Sequence, residues 1–428
     1  MAPALTVDVE YAMKLREDSS VIKNRGNNMK KQRKSMSLPR FGCLRLDDES
    51  KSVDRQNQND GSIDMLSTAG VVDDFDRDRR LPTHLIVMVN GIIGSAEDWR
   101  YAAKQFLRAY PKEVIVHCSE RNTSTLTFDG IDVMGERLAD EVITVIQRYP
   151  HLRKISFIGH SLGGMIARYA IALLYGDNYL DRLFKVNGET GSNGCEKVMQ
   201  QEDYIGKIAG LEPVNFITFA TPHLGSRGHN QVPMFFGFHT LELIARQTSW
   251  FLGRTGRHLF LTDKDMEKPP LLLRMANDCE GLPFISALKS FNRRIAYANM
   301  RFDKLVGWCT SSIRLENELP KRRHILRNDK YRHIANVETG VVSYNQQAST
   351  MESIMNGWKR LRTQEMLEEM IKGLTTVSWK ELMLNLVVVN IGSLLIIQFR
   401  QALYIVFLLN SNGVLRRIFL IFFKYVYA

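Results

Sequence analysis

The chain has 428 residues, 44% of them hydrophobic, which is enough to bury the core of one large α/β domain with appended segments. Its formal net charge is +11, but the basic residues cluster near the N terminus and at Lys321 to Arg323 without interleaved aromatic residues, which argues against a nucleic-acid partner. The five cysteines are odd in number and widely spaced, without metal-type pairing, which favours a reduced, intracellular compartment.

Residues 1–80 form a polar and charged N-terminal region. Stretches such as KNRGNNMKKQRKSMSLPR bury too little apolar surface to fold alone, which predicts disorder. The first residues, MAPALTVDVEYAMKLRED, lack an apolar core and carry early acidic residues, unlike a secretory signal or a transit peptide. We therefore expect an intracellular protein, either cytoplasmic or peripherally bound to a membrane.

A folded domain is predicted over residues 81–380, and its first strand is placed at His84 to Val89, after Pro82. The loop NGIIGS follows, and then an amphipathic helical pattern over Ala96 to Tyr110. An early strand-to-helix loop supplies an oxyanion-binding N–H in α/β-hydrolases, so Gly91 and the N–H of Ile92 are candidates for that role. An ordinary Asn-Gly turn is the alternative.

The most informative stretch is KISFIGHSLGGMIARYAIALLY. Ile155 to Ile158 reads as a buried strand and Met165 to Tyr175 as a helix. The turn between them is a G-x-S-x-G sequence, Gly159-His160-Ser161-Leu162-Gly163, as the nucleophile elbow requires. Ser161 is the predicted nucleophile, and the N–H of Leu162 the other predicted oxyanion donor. The alternative is a glycine-rich turn that only caps a helix.

Further strands and helices alternate along the chain. Glu113 to Cys118 and Val214 to Phe219 read as strands, and Gly135 to Arg148 as a helix. This alternation predicts an α/β fold with a mostly parallel, doubly wound sheet and helices on both faces. The long Tyr179 to Gly210 connection is predicted to be a surface insertion.

Residues 222–294 are predicted to form a helical cap. Their apolar and aromatic side chains could line a site for an acyl chain, or equally form ordinary helix core. These residues are Phe235, Phe236, Phe238, Leu241, Leu243, Trp250, Phe251, Leu252, Leu259 and Phe260.

Asp303 follows a predicted strand at Ile295 to Met300. The catalytic residues of α/β-hydrolases run in the order serine, acid, histidine, and the acid follows a late strand. Asp303 is therefore the predicted acid, which would orient a histidine and stabilise its imidazolium form.

Several of these stretches carry a resemblance to a known family. HLIVMVNGIIGSAEDW, FIGHSLGGMIARYAI, NFITFATPHLGSRG and AYANMRFDKLVGWCTSSI resemble the "putative serine esterase", lipase-like family of α/β-hydrolases in its plant-type form, over Leu81 to Trp379. The resemblance implies the α/β-hydrolase fold and hydrolysis of esters, with lipids as plausible substrates, without a cofactor or metal. It supports Ser161 and Asp303 in their roles, whereas Asn90 stands where many such lipases have a histidine.

The C-terminal part departs from the family. Members continue through an Ala-His-Asn/Ser-Thr-Ile-Gln motif whose histidine is the natural general base, but this chain has no histidine after His333. His333 belongs to a segment that the resemblance marks as structural, and His324 lies in a basic loop. The sequence therefore contains no identified catalytic histidine.

An apolar tail over residues 381–428 stands in place of the family segment. Leu382 to Phe399 is uncharged and nearly long enough to span a bilayer, so a membrane anchor is one interpretation. In the other, codons for LMLNLVVVNIGSLLIIQF can be chosen so that the frame displaced by one base reads VDVKFSSSKHRFIAHNTIQ, which resembles the missing segment. A frame change at about Glu381 is the favoured interpretation, and the lost histidine codon would straddle Leu395 and Ile396.

Two functions follow from the sequence. The first is a serine hydrolase of the lipase and carboxylic-ester class that forms an acyl-enzyme on Ser161. The alternative is a catalytically impaired isoform or pseudoenzyme that acts in binding or regulation. Membrane contact is expected through the cap or the tail.

Overall fold

The computed structural model describes residues 43–44, 81–179, 182–183, 204–226, 252–263, 268–279, 281–300, 303, 306–320, 334–338, 354 and 357–384. Most of the N-terminal region, of the predicted insertion and of the tail lies outside the described residues. The same holds for the aromatic side chains at positions 235–251 of the predicted cap.

Strands form the centre of the domain. Eight of them make one sheet, and the other two make a short antiparallel hairpin. Their bounds are β1 (Cys43–Leu44), β2 (His84–Val89), β3 (Val114–Cys118), β4 (Lys154–His160), β5 (Glu212–Phe219), β6 (Asp278–Cys279), β7 (Leu282–Pro283), β8 (Arg293–Asn299), β9 (Ile334–Glu338) and β10 (Lys380–Leu384).

The order in the large sheet is β1-β3-β2-β4-β5-β8-β10-β9. Every neighbouring pair from β3 to β10 is parallel, whereas the two outermost strands, β1 and β9, pair antiparallel with their neighbours. The carboxyl ends of the parallel strands therefore share one edge of the sheet, where ligands bind in open α/β folds.

Helices connect the strands. The described α-helices are α1 (Arg100–Ala109), α2 (Ile131–Arg148), α3 (Leu162–Leu173), α4 (Gly253–Leu259), α5 (Leu271–Arg274), α6 (Phe284–Ser290), α7 (Trp308–Ser311) and α8 (Thr363–Leu374). Short 3-10 helices at Ala96–Trp99 and Ser124–Phe128 precede α1 and α2.

The sequence of β2, HLIVMV, explains why helices cover both faces of the sheet. Leu85, Val87 and Val89 pack in one apolar cluster with α2, α3, α6 and α8, while Ile86 and Met88 pack in another with α1. Side chains alternate between the faces of a strand, so these five consecutive apolar residues need cover on both sides. The predicted doubly wound α/β sheet is confirmed.

The predicted elements recur with shifted ends. The first strand has the predicted bounds, while the predicted strand at Ile155 to Ile158 extends to Lys154–His160 as β4. The helix predicted from Met165 begins at Leu162, directly after the serine. β1 lies inside the N-terminal region for which the sequence predicts disorder.

The described part of the predicted cap region belongs to the main apolar core. Leu259, Leu272 and Phe284 are buried in the cluster that also contains α3. The rings of Phe284 and Tyr169 lie 5.6 Å apart at their centroids. These residues of the 222–294 stretch therefore pack against α3 and stabilise it.

The tail begins inside the sheet. Leu382, Met383 and Leu384 pair in parallel with Tyr297, Ala298 and Asn299 of β8. Among the helices of the described residues, none is long and apolar enough to cross a membrane.

Candidate active site

Ser161 occupies a strained turn between β4 and α3. Its backbone has φ 52 and ψ −125, a conformation that costs free energy in any residue other than glycine. Its N–H donates to the carbonyl of Phe219 at 2.8 Å, and its own carbonyl accepts from the N–H of Gly164 at 3.2 Å. The turn is thus fixed by the end of β5 and by the first turn of α3.

Glycines let β2, β4 and α3 meet around this turn. A Cβ on Gly159 would lie 2.5 Å from the Cα of Gly164, and one on Gly163 would lie 2.2 Å from the carbonyl oxygen of Val89. Both distances are far below van der Waals contact and both neighbours are backbone atoms. The first and last residues of the motif are therefore glycines because no side chain fits there.

The predicted oxyanion loop lies against the serine. A Cβ on Gly91 would be 3.0 Å from the Cβ of Ser161 and 3.3 Å from Nδ1 of His160. The buried Asn90 amide donates to the carbonyls of Gly91 at 3.1 Å and Asn122 at 2.9 Å, which fixes the loop. The structure thus brings together two sequence segments that are 70 residues apart.

Two backbone N–H groups are available beside the serine. Leu162 is the first residue of α3, so its N–H has no intrahelical acceptor. Within the described residues, neither this N–H nor that of Ile92 makes a hydrogen bond. Unpaired N–H groups on a fixed backbone are what stabilises an oxyanion.

Asp303 lies beyond β8, which is separated from β4 by β5 alone. One of its carboxylate oxygens, Oδ1, accepts the N–H of Val306 at 2.9 Å. This contact is that of a turn-forming aspartate. Asp303 follows the carboxyl end of β8, which lies at the same edge of the sheet as the carboxyl end of β4.

Four of the described histidines, His84, His117, His223 and His258, have other partners than Ser161. Nε2 of His117 lies 2.9 Å from Glu141, Nε2 of His84 lies 2.9 Å from Ser156, and Nδ1 of His258 accepts the N–H of Ile131. Within the described part of the chain, the Ser161 hydroxyl makes no side-chain hydrogen bond. His324 and His333 lie outside the described residues.

His160 and His223 are neutral at pH 7. Burial lowers the pKa of His160 to about 4. The pKa of His223 is held well below its ordinary value, first by burial and second by the charge of Arg168. His223 lies 3.0 Å from the hydroxyl of Thr218 and packs edge-on against Trp379.

Arg168 is a buried cation that the sequence reasoning missed. Its guanidinium donates to the carbonyls of Met275 at 2.8 Å and His223 at 3.4 Å, and burial lowers its pKa to about 9. It therefore joins α3 to the segment after β5 and to the end of α5. An arginine on the otherwise apolar pattern of α3 was the signal that could have indicated it.

The site combines some of the groups that acyl transfer requires. A serine hydroxyl lies on a fixed turn near two N–H groups that have no acceptor among the described residues, and no described histidine is hydrogen-bonded to that hydroxyl. Also within the described residues, no cluster of three or more histidine, cysteine or acidic side chains is arranged to hold a metal ion.

The model of the family described as "Putative serine esterase (DUF676)" matches residues 79–313, more than half of the chain. The chain belongs to this family of serine esterases, and it has the α/β-hydrolase fold that the sequence predicts.

Similar proteins have lipase names. The chain is 32% identical over 239 residues to "Putative lipase ROG1" of Saccharomyces cerevisiae, a match that covers 54% of this chain and 28% of that protein. It is 25% identical over 291 residues to "Putative lipase C4A8.10" of Schizosaccharomyces pombe, covering 65% of this chain and 32% of that protein. The chain thus spans about a third or less of the length of these relatives.

Among solved structures, the Bacillus licheniformis lipase BlEst2 in its mature form is 17% identical, with a TM-score of 0.30. That match covers 53% of this chain and 68% of the lipase.

Proposed function

We propose that the protein is a carboxylic ester hydrolase whose nucleophile is Ser161. The observation that supports this most strongly is the φ of 52 at Ser161, on a turn that touches the Gly91 loop and lies beside two unpaired N–H groups. A backbone strained in this way at the carboxyl edge of a parallel sheet is typical of a nucleophile elbow.

In the proposed reaction, Oγ of Ser161 attacks the ester carbonyl while a histidine accepts its proton. The N–H groups of Leu162 and Ile92 stabilise the resulting oxyanion. Collapse of the tetrahedral intermediate expels the alcohol, which receives the proton, and leaves an acyl-enzyme that water then hydrolyses. Asp303 would orient the histidine and stabilise its cationic form.

We propose lipid esters as the substrate class. The relatives have lipase names, and the sequence of residues 222–294, which follows β5, is rich in apolar side chains. An apolar lining suits an acyl chain, which gains free energy on leaving water.

The missing base favours a second candidate function. The chain has no histidine after His333, and His84, His117, His223 and His258 contact other groups, so a catalytically impaired binding or regulatory protein is the alternative. Both functions would use the site around Ser161, but only the first requires catalytic turnover.

The strand β10, Lys380–Leu384, contains Glu381, the residue at which we propose the frame change. Oε2 of Glu381 lies 3.0 Å from Nε of Arg314, and both side chains are nearly buried. A buried charge without a partner is costly, so this pair indicates that the chain through Glu381 suits the fold. β10 is parallel to β8, so its last residue, Leu384, lies at the carboxyl edge of the sheet, to which Ser161 also belongs.

The test compares three proteins on a short p-nitrophenyl ester: the chain as written, a version with the displaced frame restored after Glu381, and the restored version with its new histidine changed to alanine. General-base assistance is worth about a hundredfold to ten-thousandfold, so the restored version should be faster by that factor. The alanine version should return to the low rate. Equal rates for the first two proteins, with Ser161 essential in both, would contradict the role given to the tail.

The membrane-anchor interpretation makes a separate prediction. Carbonate-washed membranes would retain the full chain and release a truncation that ends before Leu382. Under the frame change, the apolar tail should instead cause aggregation of the full chain.

A further inference from the structure

Ile93 stands out in the loop beside Ser161 because it combines backbone strain with exposure. Its φ is 57, in a region that is rare for residues branched at Cβ. Its side chain is 59% exposed to solvent. The carbonyl of Gly91 accepts the N–H of Gly94 at 3.1 Å, so Ile93 is the third residue of a tight turn, where glycine or asparagine relieves a positive φ.

The position of Ile93 is fixed. Its N–H donates to Oγ1 of Thr127 at 2.9 Å, and the N–H of Ser124 donates to the carbonyl of Gly94 at 3.1 Å. The 3-10 helix Ser124–Phe128 therefore lies along the loop, and its Leu126 is 42% exposed. Two exposed apolar side chains thus belong to neighbouring segments that hydrogen-bond to each other.

This corner lies next to the proposed chemistry. Gly91, two residues before Ile93, is in contact with Ser161, and Ile92 between them carries a proposed oxyanion donor. The side chain of Ile92 packs against the main core, whereas Ile93 remains at the surface. The exposed apolar side chain of Ile93 is thus two residues along the loop from the position that meets Ser161.

We propose that Ile93 is a specificity-determining residue that contacts a hydrocarbon chain of the bound ester, with Leu126 as its neighbour. The inference rests on the proposed ester hydrolysis at Ser161. The apolar side chain strengthens the binding of long chains. This gain offsets the free-energy cost of the strained backbone and of an apolar side chain exposed to water.

The test measures how fast full-length protein is labelled by fluorophosphonates, in which Oγ of Ser161 attacks phosphorus and fluoride leaves. Two pairs of reagents are used, and each pair has one member with a short and one with a long alkyl chain. In one pair the chain is on phosphorus and mimics the acyl side of the ester, and in the other it is on the alkoxy oxygen and mimics the alcohol side. The measured quantity is the ratio of long-chain to short-chain labelling rates, which cancels effects common to both reagents.

Ile93→Asn should lower this ratio about fivefold to tenfold on one of the two sides, somewhat less than a closed apolar pocket achieves. Asparagine tolerates a positive φ, so the loop keeps its conformation. Ile93→Leu should keep the wild-type ratio because leucine also presents an apolar side chain. Ile205→Asn is the matched control, since Ile205 is 71% exposed and lies before β5, at the opposite edge of the sheet.

A ratio in Ile93→Asn within about twofold of the wild type on both sides would overturn the inference. So would an equally low ratio in Ile93→Leu, because the effect would then come from the backbone. If none of the four reagents labels Ser161 in the wild type, the proposed function fails, and the inference fails with it. Labelling with an unchanged ratio refutes the role of Ile93 alone.

Discussion

Replacing Gly163 with alanine should destabilise the domain strongly, because the added Cβ has no space. It would lie 2.2 Å from the carbonyl oxygen of Val89 and 2.6 Å from that of Asn90. Both are backbone atoms, one in the last residue of the central strand β2 and one in the residue after it, so relief requires moving the strand end, the Gly91 loop or α3. Overpacking of this kind costs about 3 kcal/mol, towards the upper end of measured cases.

A loss of that size should lower the melting temperature by roughly 6–12 °C, since about 2–4 °C corresponds to each kcal/mol in a domain of this size. The assay is a thermal melt followed by circular dichroism. Gly357→Ala is the matched control, because a Cβ at Gly357 would meet nothing within 4 Å and its φ is −111. A melt of Gly163→Ala within about 1 °C of the control would refute the close contact of strand and helix at the elbow.

Three further predictions concern buried ionisable groups. Glu141→Gln should lower the free energy of unfolding, measured in urea, by about 3 kcal/mol, because Glu141 accepts hydrogen bonds from Ser119 and the N–H of Glu120 and contacts His117. A loss no larger than that of Glu136→Gln, at an exposed position of the same helix, would contradict this. Hydrogen bonds from these partners keep the pKa of Glu141 below its ordinary value of 4.5 despite burial, so its stabilisation is complete above that pH and should disappear as the pH falls below it; a Glu141→Gln protein with the same acid sensitivity as wild type would be inconsistent with that. Burial, and second the charge of Lys154, lowers the pKa of His84 from 6.5 to about 4. Between these pH values the unfolded chain binds a proton that the folded chain does not, so stability should fall as the pH drops from 6.5 to 4. His84→Gln should reduce the slope of stability against pH by about one proton, and an unchanged slope would contradict this.

Local sequence signals were sufficient to predict the centre of the fold. The run HLIVMV predicted β2 with its correct ends, because five consecutive apolar residues indicate a strand that is buried on both faces. The G-x-S-x-G spacing predicted the turn, but only Gly159 acts through a nearby residue, Gly164, whereas Gly163 meets Val89 of β2. Element ends were less accurate: α2 begins at Ile131 rather than Gly135, directly after Gly130 with its φ of 105.

Long-range contacts account for what the sequence could not predict. β10 reads as the start of an apolar tail, but its pairing with β8 and β9 joins residues more than 40 positions apart. Arg168 reads as a surface residue of a helix until the carbonyls of His223 and Met275 are placed beside it. The strain at Ile93 is likewise invisible in the sequence NGIIGS, because nothing in the letters fixes which residue takes the positive φ.

The most direct measurement of the role of Ser161 is mass spectrometry of peptides from full-length protein treated with a fluorophosphonate. The expected result is a phosphonyl adduct on Ser161, formed even slowly, that is absent from Ser161→Ala under the same conditions. Circular dichroism of the variant should match that of the wild type, so that loss of the adduct reports the missing hydroxyl. An adduct on another residue that persists in Ser161→Ala, or a wild-type protein that forms no adduct, would contradict Ser161 as the nucleophile.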